Sequence, residues 1–250
     1  MILCADIGNS GIRIGAWQKT DAGFDAPKLL WRKSLRKPLE LDRELAGLSK
    51  TKIHWGVASV NAPLLNLLTD WLQQNRSGDS IRVIRHTDIP LFVDVEKPDG
   101  VGIDRLISSW AAWKNEPGHP SIVVDAGSAV TVDLVDASGR FEGGNIFPGT
   151  SACLRSLSEN TDQLPRLENF GEFPPVPLGR STSDAIRSGV YRMQAASITS
   201  IVRQLQEYAE VGESQILLTG GGIPALQPML PPWQYAEHLI VDGIYDLLVK

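Results

Sequence analysis

The chain has 250 residues, 42% hydrophobic and 21% charged, proportions typical of a globular protein with a sizeable core. Its formal net charge of −5 gives no electrostatic reason to bind nucleic acid or an acidic membrane surface. Two cysteines are too few for a disulfide framework or a four-thiolate zinc site. Without an apolar run of roughly 18 residues or a signal-peptide pattern, we expect no membrane association and a cytoplasmic protein.

The chain opens with a predicted β-hairpin whose first strand ends on an aspartate. The apolar run at residues 2–6 ends at Asp6, and a turn through Gly8 and Gly11 leads into a second apolar run. Glycines permit the backbone angles of a turn that grips phosphate, and Asp6 could hold a hydrated Mg²⁺ on the phosphates. An ordinary Asn-Ser hairpin turn with Asp6 as its cap is the alternative.

Strands and helices alternate through the rest of the first half. Apolar spacing predicts strands at residues 29–32, 53–58 and 80–85, helices at residues 39–49 and 64–74, and a loop at residues 90–102. A break at residues 115–120, which contains two prolines and a glycine, is the predicted domain boundary. We therefore expect domains at residues 1–117 and 118–250.

Asp104 and Arg105 stand at the predicted start of a helix, directly after the tight turn that Gly102 allows. The helix dipole favours a carboxylate in the first turn, and such a carboxylate suits a base that accepts a hydroxyl proton. Arg105 offers a planar fork for a substrate carboxylate. The alternative is that Asp104 is an N-cap and Arg105 a solvated side chain.

The second half begins with a hairpin that repeats the first. The apolar run at residues 121–125 ends at Asp125, turns through Gly127 and Ser128, and continues into an apolar run at residues 129–135. Such a hairpin places a carboxylate beside free backbone N–H groups, which is the chemistry that holds metal-bound phosphates. Two copies indicate two related halves that face each other across a nucleotide.

The remaining elements follow in order. Residues 150–158 and 239–249 are predicted helices, and residues 183–210 form the longest helix, with a possible break near Gly189. The glycines of residues 143–149 either let backbone approach a ligand or the other half, or form a hairpin end. A strand at residues 215–218 runs into Thr219–Gly222, which suits packing against a flat adenine or serves as a strand-to-helix turn.

In its ordered set of motifs, the sequence resembles the type III pantothenate kinases of the actin/Hsp70/sugar-kinase superfamily. The motifs are Asp6-Ile-Gly-Asn-Ser10, Ser59-Val-x-x-Pro63, Gly102-Ile-Asp-Arg105, Asp125-Ala-Gly-Ser-Ala129, Gly143-Gly-x-Ile-x-Pro-Gly149, Thr161-x-x-Leu-Pro165, Thr182 and Thr219-Gly-Gly221. The resemblance implies an α/β fold of two RNase H-like halves, with mixed five-stranded sheets flanked by helices and a cleft between the halves. It implies transfer of the ATP γ-phosphate to the pantothenate hydroxyl, the first step of coenzyme A biosynthesis.

The resemblance also implies roles for individual residues. Asp104 would be the proton acceptor, and Asp125 would bind a monovalent cation, K⁺ or NH₄⁺, in addition to the Mg²⁺ carried by ATP. The ATP-binding residues would be Asp6, Ile7, Gly8, Asn9, Ser10, Gly11, Ile12, Arg13 and Ser128. The pantothenate-binding residues would be Val95, Gly102, Ile103, Asp104, Arg105 and Thr182. The family implies a homodimer with each pantothenate pocket near the subunit interface.

Two positions depart from the family pattern. Val95 stands three residues before Pro98, where the family usually has a tyrosine, and Ser128 replaces the usual threonine but keeps the hydroxyl. Two alternatives therefore stay open: a kinase of the same fold that acts on another small hydroxy acid, and a non-catalytic accessory or regulatory protein that binds a nucleotide.

Overall fold

A computed structural model describes residues 1–18, 52–167, 176–209 and 214–249, and the backbone of residues 28–35. The chain divides into two compact units. The first comprises Met1–Leu91, Lys97–Ala111 and His238–Lys250, and the second comprises Phe92–Glu96 and Ala112–Glu237. The chain thus passes from one unit to the other more than once, and the predicted division at residues 117 and 118 stays a prediction.

The first unit contains a five-stranded mixed sheet. Its strands lie in the order β3-β2-β1-β4-β5, with antiparallel pairing of β1 with β2 and β2 with β3, and parallel pairing of β1 with β4 and β4 with β5. The bounds are β1 Ile2–Gly8, β2 Gly11–Gln18, β3 Lys28–Leu35, β4 His54–Ser59 and β5 Ser80–Val83. The strands predicted in this part of the sequence are confirmed, whereas the helix predicted at residues 39–49 lies outside the described residues.

Among the described residues, α1 Ala62–Asn75 and α6 Leu239–Val249 pack on this sheet. Helix α2 Ile103–Trp113, which continues into the second unit, lies against α6, because a Cβ at Gly243 would lie 2.7 Å from Ile107 Cγ2. Helix α6 approaches the strands closely, because a Cβ at Gly15 would lie 2.8 Å from Val241 Cγ1. The ring of Tyr245 stacks on Trp17 with 4.7 Å between the ring centroids. Residues of β1 and β4 are buried on both faces, which explains why their sequences are continuous apolar runs.

The second unit contains six strands, in the order β11-β10-β7-β8-β9-β6. The bounds are β6 Phe92–Val93, β7 Ser121–Ala126, β8 Ala129–Val135, β9 Arg140–Pro148, β10 Gln215–Thr219 and β11 Gln234–Tyr235. The expectation of two five-stranded sheets is corrected here, because β6 adds a strand beside β9. The other five strands repeat the order and the directions of the first sheet.

The described residues of the second unit include the helices α3 Thr150–Glu159, α4 Thr182–Tyr208 and the short α5 Ile223–Leu226. Tyr191, Ile198 and Val202 of α4 pack with the apolar side chains of β7, β8 and β10. The predicted break at Gly189 is wrong: α4 runs through this residue, since packing on both sides outweighs the low helix propensity of one exposed glycine. Across the described residues, no helix is long and apolar enough to cross a membrane.

The stretch between β5 and α2 differs from its prediction. The strand predicted at residues 80–85 ends at Val83, and the predicted loop at residues 90–102 contains β6. Two short 3₁₀ turns, His86–Asp88 and Pro98–Gly100, complete this stretch. A strand of two residues is too short to show alternation of apolar and polar side chains. Strand β6 can therefore be recognised from its pairing with β9 but not from its sequence.

Candidate active site

The first hairpin forms as predicted, with its turn at the carboxyl end of β1. Asn9 and Ser10 are exposed at the tip, between Gly8 and Gly11, whose backbones pair across the hairpin. Gly11 has a φ of 144°, a conformation that side-chain-bearing residues rarely adopt. Exposed backbone beside small residues leaves room for a phosphate group to approach the turn.

Asp6 is buried in the sheet, with only 3% of its surface exposed. Its register partners are Arg13 on β2 and Ala58 on β4. The Nε atom of Arg13 lies 3.7 Å from Oδ2 of Asp6, so an arginine of the same hairpin balances the charge of this carboxylate. Burial of a carboxylate without such compensation would be unfavourable.

Asp104 is the second residue of α2 and is half-buried. Its Oδ1 accepts a hydrogen bond of 2.9 Å from the backbone N–H of Arg105, and the carbonyl of Gly102 accepts from the N–H of Leu106 at 3.3 Å. The helix therefore starts after Gly102, and Asp104 is not its N-cap. A Cβ at Gly102 would overlap Oδ1 of Asp104, so the glycine lets the carboxylate fold back over the start of the helix.

Val60 connects the hairpin to the Asp104 segment within the first unit. The N–H of Val60 donates to the carbonyl of Ile7 at 3.1 Å, and its Cγ1 lies 3.8 Å from the Cβ position at Gly102. His86 fixes the same segment, because its Nε2 lies 2.6 Å from the carbonyl oxygen of Val101. The first unit thus brings residues 6–13 and 102–105 together. Sequence reasoning noted Val60 only as part of a motif and missed the contact.

The second hairpin also forms as predicted. Gly127 and Ser128 are exposed at its turn, where the N–H of Gly127 donates to the carbonyl of Ala129 at 2.9 Å. The N–H of Gly149 donates to the carbonyl of Ser128 at 3.1 Å, and a Cβ at position 149 would overlap the carbonyl of Gly127. The glycine-rich end of β9 therefore serves close packing against this turn, which favours the hairpin-end interpretation.

Asp125 lies between two threonines in the second sheet. Its register partners are Thr131 on β8 and Thr219 on β10, so the three side chains project from the same face of the sheet. Thr219 is fully buried, and its Oγ1 forms no hydrogen bond with any described residue. Gly220, with a φ of 94°, follows directly, and a Cβ there would overlap Oδ1 of Asp125. The sequence left this glycine run as either a surface for adenine or a strand-to-helix turn, and its contact with Asp125 was not predicted.

Val95 and Thr182, the remaining predicted substrate residues, lie elsewhere in the second unit. Val95 follows β6, and its Cγ1 is 3.5 Å from the Cβ position at Gly143. Thr182 is exposed at the start of α4, after Ser181, whose hydroxyl accepts from the N–H of Asp184 at 3.2 Å. Within the described part of the chain, no hydrogen bond connects either residue to the second hairpin.

The sequence of residues 2–204 matches the family model of type III pantothenate kinase. The chain belongs to the type III pantothenate kinase family. Membership of this family makes the protein a kinase, and the enzyme class expected from its motifs is confirmed at this level. One relative, the type III pantothenate kinase of Rhodopirellula baltica, is 38% identical over 176 residues, which are 68% of this chain and 62% of the relative.

A relative of nearly full coverage is the type III pantothenate kinase of Alkalilimnicola ehrlichii, 32% identical over 248 residues, which are 98% of this chain and 96% of the relative. Among solved structures, a Campylobacter jejuni protein described as a Baf family transcriptional activator has a TM-score of 0.57 and 26% identity. That match covers 99% of this chain and 97% of the other. A glucokinase from an Antarctic psychrotroph has a TM-score of 0.52 and 11% identity over 100% and 99% of the two chains. This second likeness confirms the sugar-kinase fold alone.

Proposed function

We propose that the protein transfers the γ-phosphate of ATP to the hydroxyl of pantothenate, the first step of coenzyme A biosynthesis. Relatives that carry the name type III pantothenate kinase support this substrate. The observation that carries the chemistry is the carboxylate of Asp104, folded over Gly102 at the start of a helix next to the first hairpin.

Asp104 is suited to the role of proton acceptor. Its Oδ1 is fixed by the N–H of Arg105, while Oδ2 accepts no hydrogen bond from any residue that the structure describes. Such a fixed carboxylate can orient the attacking hydroxyl and take its proton during an in-line displacement. In this proposal Arg105 pairs with the pantothenate carboxylate, and Gly102, Ile103, Val95 and Thr182 form the rest of the pantothenate site.

ATP is proposed to bind through the first hairpin, residues 6–13, and through Ser128 of the second. Mg²⁺ bound to the ATP phosphates would neutralise their charge, and the carboxylate of Asp6 fits it as an oxygen ligand, directly or through water. In this proposal the turn at Asn9 and Ser10, which are exposed residues, directs backbone N–H groups at phosphate oxygens. Charge neutralisation and positioning are the main protein contributions to phosphoryl transfer.

Asp125 is proposed to hold a monovalent cation, K⁺ or NH₄⁺. Its surroundings fit this role, because the side chains beside it in the sheet, Thr131 and Thr219, carry neutral oxygens. Among the described residues, no cluster of three or more His, Cys, Asp or Glu side chains suits a metal ion. One carboxylate with neutral oxygens suits a cation of low charge. A cytoplasmic homodimer is part of the same proposal.

The substitution Asp104→Asn tests the assignment. We expect kcat to fall about a thousandfold because the proton acceptor is lost, with the Kd for ATP unchanged. Asp99→Asn is the matched control, since Asp99 is an exposed aspartate in the preceding 3₁₀ turn. Measurement of ADP release with ATP, pantothenate and K⁺, together with ATP binding by calorimetry, decides the matter. Normal turnover by Asp104→Asn would refute the catalytic role.

Two observations support other candidates. The similarity to a Campylobacter jejuni protein described as a Baf family transcriptional activator favours the regulatory alternative. Val95, in place of the usual tyrosine, favours a kinase for another small hydroxy acid. ADP release from ATP, measured with and without pantothenate and K⁺ and then with a panel of hydroxy acids, separates the three. Pantothenate-dependent release supports the first proposal, release with a different acid supports the second, and no release with any acid supports the regulator.

A further inference from the structure

We propose that the hydroxyl of Thr219 is a ligand of the monovalent cation at Asp125, and that Thr219 determines how tightly this cation binds. The inference rests on the proposed role of Asp125 and extends it to a residue ninety-four positions further along the chain. The residues that carry this inference all belong to the second unit.

The sheet places Thr219 next to Asp125. Strands β7 and β10 are parallel, and Thr219 is the register partner of Asp125. Side chains of register partners project from the same face of a sheet. The preceding row, Val124 with Leu218, belongs to the apolar cluster that packs with α4, so Asp125 and Thr219 project from the opposite face. A carboxylate and a hydroxyl are therefore neighbours on one face.

The buried hydroxyl of Thr219 has no hydrogen-bond partner among the described residues. The residue is 0% exposed, and its Oγ1 forms no hydrogen bond with the described residues. Burial of a hydroxyl without a partner is unfavourable, and valine would fill the same volume without that penalty. A bound cation supplies the missing partner, because a hydroxyl oxygen coordinates a hard cation through its lone pairs.

The backbone beside Thr219 brings further oxygens to the same place. The Cβ position of Gly220 lies 2.5 Å from the carbonyl oxygen of Ala126, and it overlaps Oδ1 of Asp125. These two oxygens therefore lie close together against the Cα of Gly220. The carbonyl of Ala126 accepts a hydrogen bond of 2.8 Å from the N–H of Gly222, which leaves a second lone pair for a cation.

Thermal stabilisation by K⁺ in the absence of nucleotide tests this inference without reference to catalysis. A ligand that binds only the folded state adds RT ln(1 + [L]/Kd) to the free energy of unfolding, so the rise of Tm with K⁺ concentration at constant ionic strength, with choline as the replacement, gives the Kd for K⁺. For Thr219→Val we expect this Kd to rise about tenfold or more, and for Thr219→Ser less than about threefold. In choline alone, Thr219→Val should be no less stable than the wild type, because it removes an unpaired buried hydroxyl.

Thr199→Val is the matched control, since the Thr199 hydroxyl donates to the carbonyl of Ala195 at 2.9 Å within α4. It should leave the K⁺ response unchanged. An unchanged K⁺ response in Thr219→Val would overturn the inference, as would a wild type that K⁺ does not stabilise. Should Thr219→Val not fold, Thr219→Cys replaces the hard oxygen with a softer sulfur. A shift of its preference from K⁺ towards Tl⁺ supports the inference, and unchanged preference overturns it.

The proposed function fails separately from this inference. If K⁺ stabilises the wild type and Thr219→Val weakens the response, while neither turns over pantothenate, the cation site stands and the pantothenate kinase assignment falls. If the wild type phosphorylates pantothenate but Thr219→Val responds normally to K⁺, the assignment stands and the role of Thr219 falls.

Discussion

The two hairpins share a backbone and differ in what surrounds their aspartates. Asp6 and Asp125 each lie in the middle one of the five strands whose order and directions the two sheets share. In the first sheet the antiparallel neighbour of the aspartate is Arg13, and in the second it is Thr131. The repeated topology thus sets the position of each carboxylate in its sheet. The residue beside it on the antiparallel strand sets whether its neighbour is a charged or a neutral side chain.

The residues beside the two aspartates on the parallel strands differ in the same way. Asp6 is next to Ala58, which brings no polar atom, whereas Asp125 is next to Thr219, which brings a buried hydroxyl. The first aspartate therefore has its in-sheet charge partner in Arg13, and the second has two neutral oxygen donors. This difference favours phosphate handling at the first hairpin and cation binding at the second.

The largest expected effect is a loss of stability of the first sheet when the carboxylate of Asp79, which lies outside the hairpin, is removed. Asp79, with 4% of its side chain exposed, pairs with Arg76 and accepts hydrogen bonds of 3.0 Å from the N–H of Ile53 and from Trp55 Nε1. Asp79→Ala should lower the free energy of unfolding by about 3 kcal/mol, because Arg76 and two donors lose their partner. Urea unfolding measures the loss, and Asp70→Ala, an exposed aspartate of α1, is the control.

The contribution of Asp79 should depend on pH. Burial alone would raise the pKa of Asp79, but hydrogen bonds from Arg76, Trp55 and Ile53 outweigh burial, and the pKa lies below its ordinary value. A lowered folded-state pKa gives stability that is complete above the unfolded value of about 3.9 and is lost as the pH falls through the folded value. The difference between wild type and Asp79→Ala should therefore be constant at neutral pH and shrink in acid. A difference that grows in acid would contradict this account.

The next effect tests the glycine beside Asp125. Gly220→Ala would place a Cβ against the carboxylate of Asp125 and force a side chain into a φ of 94°. We expect a loss of about 2 kcal/mol in the free energy of unfolding, together with weaker stabilisation by K⁺. Gly221→Ala is the matched control, because nothing lies within 4 Å of its Cβ position. Equal losses in the two variants would remove the special role of Gly220.

The smallest effect measures the contrast between the aspartates directly. A double-mutant cycle of Asp6→Asn with Arg13→Gln should give a coupling energy of about 1 kcal/mol, because the pair is charged and partly buried. The corresponding cycle of Asp125→Asn with Thr131→Val should give less than about 0.5 kcal/mol in choline, since a hydroxyl carries no charge. Urea unfolding of the four single and two double variants supplies both values. Equal coupling in the two cycles would refute the contrast.

Local patterns explain what the sequence could predict. The hairpins at Asp6 and Asp125 are continuous in sequence, and their apolar runs and glycines specify strand, turn and strand without distant information. The helix start at Asp104 is predictable for the same reason, because Gly102 allows a tight turn two residues earlier. The family resemblance implied mixed five-stranded sheets, a number that the first sheet has and that β6 raises to six in the second.

The features that the sequence did not predict depend on contacts between distant parts of the chain. Thr219 lies beside Asp125 because of the register of β7 with β10. Apolar periodicity indicates which face of a strand a residue occupies, but it does not identify the residue of a distant strand that lies beside it. Val60 reaches Gly102 only because β4 ends beside β1. The strands β6 and β11 have two residues each, and only their pairing with β9 and β10 identifies them as strands. Gly189 remains helical because the residues around it are packed, which local propensity does not reveal.

Helix α6 has a consequence for biosynthesis. It covers β1, β2 and β4, with Val241 against Gly15 and Tyr245 stacked on Trp17, although those strands are among the first parts of the chain to be made. During synthesis on the ribosome, the face of β1, β2 and β4 that α6 covers therefore stays exposed until the chain beyond residue 238 has emerged. Chaperone binding to nascent chains should consequently persist after the second unit is complete.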